Sequence, residues 1–189
     1  MTAVAKVFIH PSAHVSDGAK IGDGTKVWIN SQIRENSSIG EDCIISKDTY
    51  IDFDVVIGDR CKIQNGVSVY HGVVIEDDVF VGPNATFTND FYPRAFSGDS
   101  WKVYRTLIRR GASIGANATI VCGRTLGEYC MVGCGSVVTK DIPPHALVVG
   151  NPARISGYVC ECGQKLDRTG KCPQCGKQYD MQNLKNNKP

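Results

Sequence analysis

The sequence has little net charge, no long apolar run and few histidines. Lys and Arg total 21 against 19 Asp and Glu, a formal charge of +2, and apart from the pair Arg109-Arg110 no block of like charge stands out. That balance gives no basic surface to track phosphates, so nucleic acid is not an expected partner. Nowhere do eighteen apolar residues follow one another, which argues against membrane insertion. The opening stretch MTAVAKVFIHPSAHV lacks an apolar core followed by a cleavage site, so a soluble, cytoplasmic protein is expected. Cysteine, by contrast, is abundant: nine in 189 residues. Cys43 and Cys61 fall inside a repeat and four others cluster near the C-terminus with metal-ligand spacing, so neither group reads as a secreted disulfide framework.

The repeat dominates. From Ile9 an aliphatic residue returns at every sixth position, through Val15, Ile21 and Val27 to Ile75 and Val81, and Phe87 closes the run. A second run at the same spacing covers Ile108, Ile114, Ile120, Leu126, Val132 and Val138. Four residues after the aliphatic one stands a small or β-branched residue, such as Thr25, Ser31, Cys43 or Ala85, and Gly often follows it directly, as at Gly22, Gly40, Gly82 and Gly115. A period of six fits neither a helix nor an amphipathic strand. It fits a short strand plus a corner, three of which close an 18-residue triangular coil with the aliphatic residues inside and Gly, Asn and Asp at the corners. The expected fold is all-β: a parallel β-helix over residues 1–155, with the chain long enough for one core and a small appendage.

The period breaks once. Phe87 and Ile108 are twenty-one residues apart, so part of 88–107 must leave the coil as a loop. Long structureless excursions from a compact domain are usually functional. This one carries Phe91, Tyr92, Arg94, Trp101, Tyr104 and Arg105, groups suited to binding, although a corner also tolerates a neutral insertion. Residues eighteen apart stack on one corner, which aligns Glu35, Phe53, His71 and Asn89. His71 thus lies one coil below the start of the loop, as a proton acceptor near neutral pH or as an exposed corner residue with a local hydrogen bond.

The stretches "VYHGVVIEDDVFVGPNATFTNDFYPRA", "RRGASIGANATIVCG" and "IPPHALVVGNPAR" resemble the hexapeptide-repeat N-acetyltransferases that acetylate nucleotide-linked 3-amino sugars. The resemblance covers roughly residues 9–155 and implies a left-handed coil, acetyl-CoA as co-substrate and a homotrimer. The FTN-x-x-x-PR segment is the most distinctive part, present as Phe87-Thr88-Asn89 and Pro93-Arg94. It is similar to the WbpD/WlbB type, acting on UDP-2-acetamido-3-amino-2,3-dideoxyglucuronate. Asp90 follows instead the version of dTDP-3-amino-hexose enzymes, so both acceptors stay open. The resemblance implies Asn89, Asp90 and His71 as catalytic and Asn84, Tyr92, Arg94, Arg34, Glu35 and Phe53 around the acceptor. Ala112, Ala118, Lys140 and Arg154 would hold acetyl-CoA, with Arg154 and Lys140 at its phosphates and a backbone N–H of Gly111–Ala118 at the oxyanion. Arg124 breaks the small-residue rule and must turn outward at a corner or serve an interface.

An amine is already a nucleophile, so direct attack on acetyl-CoA needs positioning and oxyanion stabilisation rather than a covalent enzyme intermediate. A sugar or serine O-acetyltransferase would lean harder on His71. A γ-class carbonic anhydrase shares the coil but needs three converging histidines, and His10, His14 and His145 lie far along the axis from His71. A non-catalytic scaffold would make the loop expendable.

After Arg154 the period stops. Cys160, Cys162, Cys172 and Cys175 form a C-x-C, nine-residue spacer, C-x2-C set with Gly163 and Gly176 behind each pair. Four thiolates at such spacing suit structural Zn²⁺ and leave no open catalytic position, giving a zinc-ribbon-like unit over 156–180. The first pair is one residue short of C-x2-C, so two disulfides or an empty site are the alternatives. Residues 181–189 are expected to be disordered.

Overall fold

A short strand and a tight corner are what the six-residue period demands, and the backbone takes that form. The structure, a computed structural model, describes residues 6–96 and 102–187. Strands run from β1 (Phe8–Ile9) to β22 (Arg154–Tyr158), most of them two residues long. Successive strands visit three sheets in turn, of nine, seven and six strands. Neighbours within a sheet are therefore one 18-residue coil apart and parallel: Lys62 pairs with Ile44, Ser68 with Tyr50 and Val74 with Val56. Among the described residues no helix is long and apolar enough to cross a membrane.

The aliphatic register fills the axis. Ile33, Ile45, Ile51 and Ile63 are wholly buried, and each such side chain contributes roughly 1.5–3 kcal/mol relative to exposure. The small register is buried too, and its hydroxyls are satisfied: Thr25, Ser31 and Ser37 donate to the carbonyls of Gly40, Ser46 and Arg34 at 2.8, 2.7 and 2.6 Å. Corners turn on the third residue after the aliphatic one. Asn30, Asn36, Asp42, Asp48, Asp54 and Asn84 take φ between 53° and 59° there, the left-handed region that Asn and Asp tolerate best outside glycine.

Glycine after the aliphatic residue has a different cause, which is close stacking of one corner on the next. A Cβ at Gly115 would stand 2.5 Å from the backbone nitrogen of Cys134. Gly135, at φ +69, has nothing within 4 Å of the same position. Gly115→Ala is expected to lose about 3 kcal/mol or more because two backbones must part. Gly135→Ala should cost only about 1–2 kcal/mol of left-handed strain, a ranking that thermal unfolding of the two variants checks.

The break is an insertion into a single coil. β12 (Val73–Ile75) pairs with β15 (Thr106–Ile108) so that Ile75 meets Ile108, 33 positions on instead of 18. Fifteen extra residues therefore leave at this corner, between β14 (Thr86–Phe87) and β15. The loop predicted for 88–107 is thus 88–105, since Thr106 and Leu107 already belong to the sheet. Trp101 lies outside the described residues.

At the far end β21 (Ala146–Val149) is parallel to the preceding coil, and β22 returns antiparallel against it. The cysteine-rich segment follows. The tail beyond it contradicts the expectation of disorder: α1 (Met181–Asn186) forms a short helix. Asp180 caps it, its carboxylate accepting from the N–H groups of Gln182 and Asn183, and Leu184 is buried beside Cys160, Leu166 and Cys172. A cap and one apolar anchor decide the outcome where composition alone argues for a coil.

Candidate active site

Every residue that directly follows a strand of the seven-stranded sheet falls on one edge of the prism. That edge collects positions 34–35, 52–54, 71–72, the described parts of the loop at 88–96 and 102–105, 121–124 and 139–141. Four predicted residues meet there as a ladder. The Arg34 guanidinium lies 5.2 Å over the Phe53 ring, and the Phe53 ring stacks on His71 at 4.2 Å and 14°. Arg34 also donates from Nε to Glu35 Oε2 at 3.1 Å. The Glu35 carboxyl is held below the usual carboxylate range, first by its own backbone N–H and then by the Arg34 guanidinium.

Beneath the ladder stands a residue that the sequence reading missed. Asp52 is 6% exposed, and its Oδ1 accepts from Arg34 Nη1 at 3.2 Å, the Tyr50 hydroxyl at 3.0 Å and the Phe53 N–H at 2.9 Å. Its Oδ2 accepts from the backbone N–H of His71 at 3.2 Å. One carboxylate thus ties three successive coils at this edge. The signal was present, because Arg34 and Asp52 are separated by one coil and their opposite charges must face each other.

The His71 ring is oriented. Nδ1 lies 3.1 Å from the Phe53 carbonyl oxygen, which can only accept, so Nδ1 carries the proton and Nε2 keeps the lone pair. Asp54 Oδ2 stands 3.8 Å from the same Nδ1. His71 lines a cleft of about 370 Å³, with Asp54 and Val74 beside it and Val103 and Arg105 of the returning loop opposite. The loop can approach because residue 72 is glycine: a Cβ there would meet Val103 Cγ1 at 2.5 Å.

Aromatic packing fixes the loop's root. Phe91 meets Tyr104 edge-on at 4.7 Å, and the Arg124 guanidinium covers Phe91 at 5.2 Å. Arg124 thus turns outward at the corner and underlies the loop. The hydroxyls of Thr88 and Thr106 accept from the N–H groups of Cys122 and Gly123 at 3.0 and 3.1 Å, pinning both loop ends to the next coil. Asn89 and Asp90 are half-buried in the first turn of the loop, where Asp90 Oδ1 accepts from the Tyr92 N–H at 2.8 Å, and neither lines the cleft. Tyr92 is 77% exposed, and Arg94 is exposed with its guanidinium on the Pro93 carbonyl. Asn84 is not brought to this edge. It is an exposed left-handed corner residue between the nine- and seven-stranded sheets.

Further along the same edge Lys140 and Arg154 line one cleft of about 350 Å³ together with Ile142, Val148 and Ile155. Ala112 and Ala118 do not join it. Both side chains are wholly buried in the axis, and their N–H groups donate to the carbonyls of Arg109 and Gly115, so their assignment to the cofactor is corrected. The N–H groups of Gly111, Ser113, Gly115 and Asn117 are likewise spent within the coil, so within the stretch expected to meet the oxyanion these N–H groups are already engaged. The four C-terminal cysteines do converge. Their sulfurs all lie within 4.8 Å of one another, with Cys160 and Cys175, and Cys162 and Cys172, 3.5 Å apart. Tetrahedral zinc with bonds near 2.3 Å sets sulfurs roughly 3.8 Å apart, so the set fits such an ion.

Known proteins share this architecture. A family described as bacterial transferase hexapeptide (six repeats) matches residues 18–52 and 54–89, and the hexapeptide repeat of succinyl-transferase matches 110–140. Together the two repeat descriptions span more than half of the chain. The chain carries the hexapeptide repeat of these transferases over the matched residues. Among curated members, a dTDP-3-amino-3,6-dideoxy-alpha-D-galactopyranose 3-N-acetyltransferase of Aneurinibacillus thermoaerophilus is 62% identical over 78 residues, which is 40% of each chain. The matched segment spans less than half the length of this and the other curated relatives. Among solved structures, a histidine-to-alanine mutant of GDP-perosamine N-acetyl transferase from Caulobacter crescentus, in complex with CoA and GDP-perosamine, aligns with TM-score 0.57 and 25% identity. That alignment covers 82% of this chain and 58% of that one. A hexapeptide-repeat acetyltransferase of Vibrio cholerae, complexed with acetyl coenzyme A, aligns with TM-score 0.51 and 27% identity over 61% and 70% of the two chains. In this chain the coil is elaborated twice, by the fifteen-residue insertion beside His71 and by the cysteine unit after Arg154.

Proposed function

We propose that the protein transfers the acetyl group of acetyl-CoA to the 3-amino group of a nucleotide-linked amino sugar, in the cytoplasm. The observation that carries the reading is the His71 cleft, walled by the inserted loop, in a chain with a segment 62% identical to a dTDP-3-amino-sugar N-acetyltransferase. That identity favours a dTDP-linked 3-amino-deoxyhexose. UDP-2-acetamido-3-amino-2,3-dideoxyglucuronate is the second acceptor, favoured by Arg105, an exposed guanidinium on the cleft wall suited to a carboxylate.

The neutral amine attacks the thioester carbonyl carbon. The C–N bond forms, the C–S bond breaks and CoA leaves as the thiolate. The proton lost by the amine passes to His71 Nε2, the Phe53 carbonyl holds the ring, and the proton returns to the departing sulfur. Asn89 and Asp90 orient the amine from the loop root, Tyr92 and Arg94 close over the nucleotide, and Arg34, Glu35 and Phe53 bound the acceptor below. Lys140 and Arg154 meet the phosphates of acetyl-CoA at the far cleft. Asn84 lies on another corner, which supports a homotrimer in which a neighbouring copy brings that corner to the acceptor. Zinc held by Cys160, Cys162, Cys172 and Cys175 is structural.

His71→Ala tests the acceptor class. With an amine acceptor kcat should fall only about tenfold, whereas a hydroxyl acceptor, which needs its base, would lose about 10³-fold. Turnover measured in parallel on UDP- and dTDP-linked 3-amino sugars decides the nucleotide.

A further inference from the structure

The far cleft is built on a strand that little else supports. One of its walls consists of Val148 on β21, Ala153 just before β22, and Arg154 and Ile155 at the start of β22. β22 ends the nine-stranded sheet, and β21 is its one neighbour in that sheet, with an irregular register between Leu147 and Val148. Residues 154–156 are exposed, so no burial holds them. The opposite end of β22, however, runs straight into the cysteine cluster. The Leu166 N–H donates to the Tyr158 carbonyl at 2.9 Å, and the Val159 N–H donates to the His145 carbonyl at 2.8 Å. The Tyr179 hydroxyl is 3.3 Å from Cys160 Sγ while its ring packs on His145 at 5.1 Å, and His145 stacks in turn on Tyr129 of the last coils.

The anchoring unit cannot hold itself together by burial. Its core is Cys160, Leu166, Cys172 and Leu184, so half of it consists of the ligands. In a unit this small the metal supplies the folding free energy.

We propose that metal binding at Cys160, Cys162, Cys172 and Cys175 is a positioning device for the cofactor cleft: the ion locks the unit to the His145 corner, and the locked unit holds β22, and with it Arg154, in place. The inference rests on zinc occupying the four cysteines and on acetyl-CoA occupying the Lys140–Arg154 cleft. The ribbon on this reading acts from outside the reaction, since its four sulfurs leave the ion no open position for a substrate.

The test compares full-length protein loaded with one equivalent of Zn²⁺ with the same protein stripped by a chelator under reducing conditions. Amide hydrogen exchange in 154–160 should rise at least about tenfold on stripping, as expected for a segment that opens locally, while the coil strands around Val69 and Ile120 stay protected. The dissociation constant of acetyl-CoA should weaken about tenfold, the loss of one charge-assisted contact, and that of the nucleotide sugar should not change. Cys175→Ser, at an exposed ligand, should reproduce the stripped protein in both measurements. Unchanged exchange in 154–160 after stripping, retained protection in Cys175→Ser, or a protein that takes up no zinc because the cysteines form two disulfides would each overturn the proposal. Failure of the zinc-loaded protein to bind acetyl-CoA would refute the cofactor assignment instead, and exchange would still decide the coupling.

Discussion

Shortening the 88–105 loop to the three- or four-residue corner used by every other coil is expected to abolish turnover, by at least about 10³-fold, and to leave the β-helix folded. The chemistry explains the first half. Acyl transfer to an amine is accelerated chiefly by holding two reactants together in a water-poor site, worth roughly 7–11 kcal/mol in favourable cases. The loop supplies Val103 and Arg105 to the cleft wall, and on the proposed reading it also brings Asn89, Asp90, Tyr92 and Arg94 to the substrate. The fold explains the second half. β12 and β15 pair in the same register across the insertion as their neighbours do without it, so removing fifteen residues restores the ordinary 18-residue coil. The exposed cost is the Phe91 contact with Tyr104 and Arg124. Near-native thermal unfolding combined with lost acetyl transfer is the expected pair of results. Retained turnover would mean the loop is expendable, as in a scaffold.

Asp52→Ala is expected to damage both stability and activity. It strips the acceptor from a guanidinium, a phenol and two backbone N–H groups at once, at a site where the carboxylate side chain is 9% exposed. With the Arg34 side chain 35% exposed and its charge partly screened, the loss is chiefly that of the hydrogen-bond acceptor and comes to about 1–3 kcal/mol. The ratio kcat/KM should fall about 10²-fold, chiefly because Arg34, freed from one of its two anchors, and the shifted Phe53 ring no longer hold the acceptor, with the loosening of His71 contributing no more than the tenfold of its removal. Asp52→Asn separates the two losses. An amide oxygen still accepts from the N–H groups, so much of the stability should return, whereas the weakened hold on Arg34 should keep KM for the acceptor raised. Chemical denaturation and the KM-against-kcat split, measured on both variants, check this.

The coil was legible because its period is strict: one aliphatic residue in six sets every strand, every inward side chain and the column that unites Glu35, Phe53 and His71. The corner rule was equally readable, since Asn and Asp stand where the backbone turns left-handed. Local reading failed where a neighbour decides the outcome. Ala112 and Ala118 look like room for a cofactor, but the small register faces the axis, so smallness there reflects packing rather than access. Asn84 shares the motif's stretch of sequence yet turns on a different corner from His71. Asp52 was overlooked because a lone acidic residue carries no motif, and only the coil placed above Arg34 makes it an anchor. The tail was judged by composition, whereas Asp180 and Leu184 give it a cap and a partner in the cysteine unit.

The central claim is transfer of an acetyl group to an amine, and thiol release tests it most directly. The purified protein is mixed with acetyl-CoA and a dTDP-linked 3-amino-deoxyhexose, or with the same nucleotide sugar bearing a hydroxyl in place of the amine. Thiol released only with the amino sugar, in step with loss of the free amine, is the predicted result. No thiol release with either this sugar or its UDP-linked 3-amino counterpart would contradict the account.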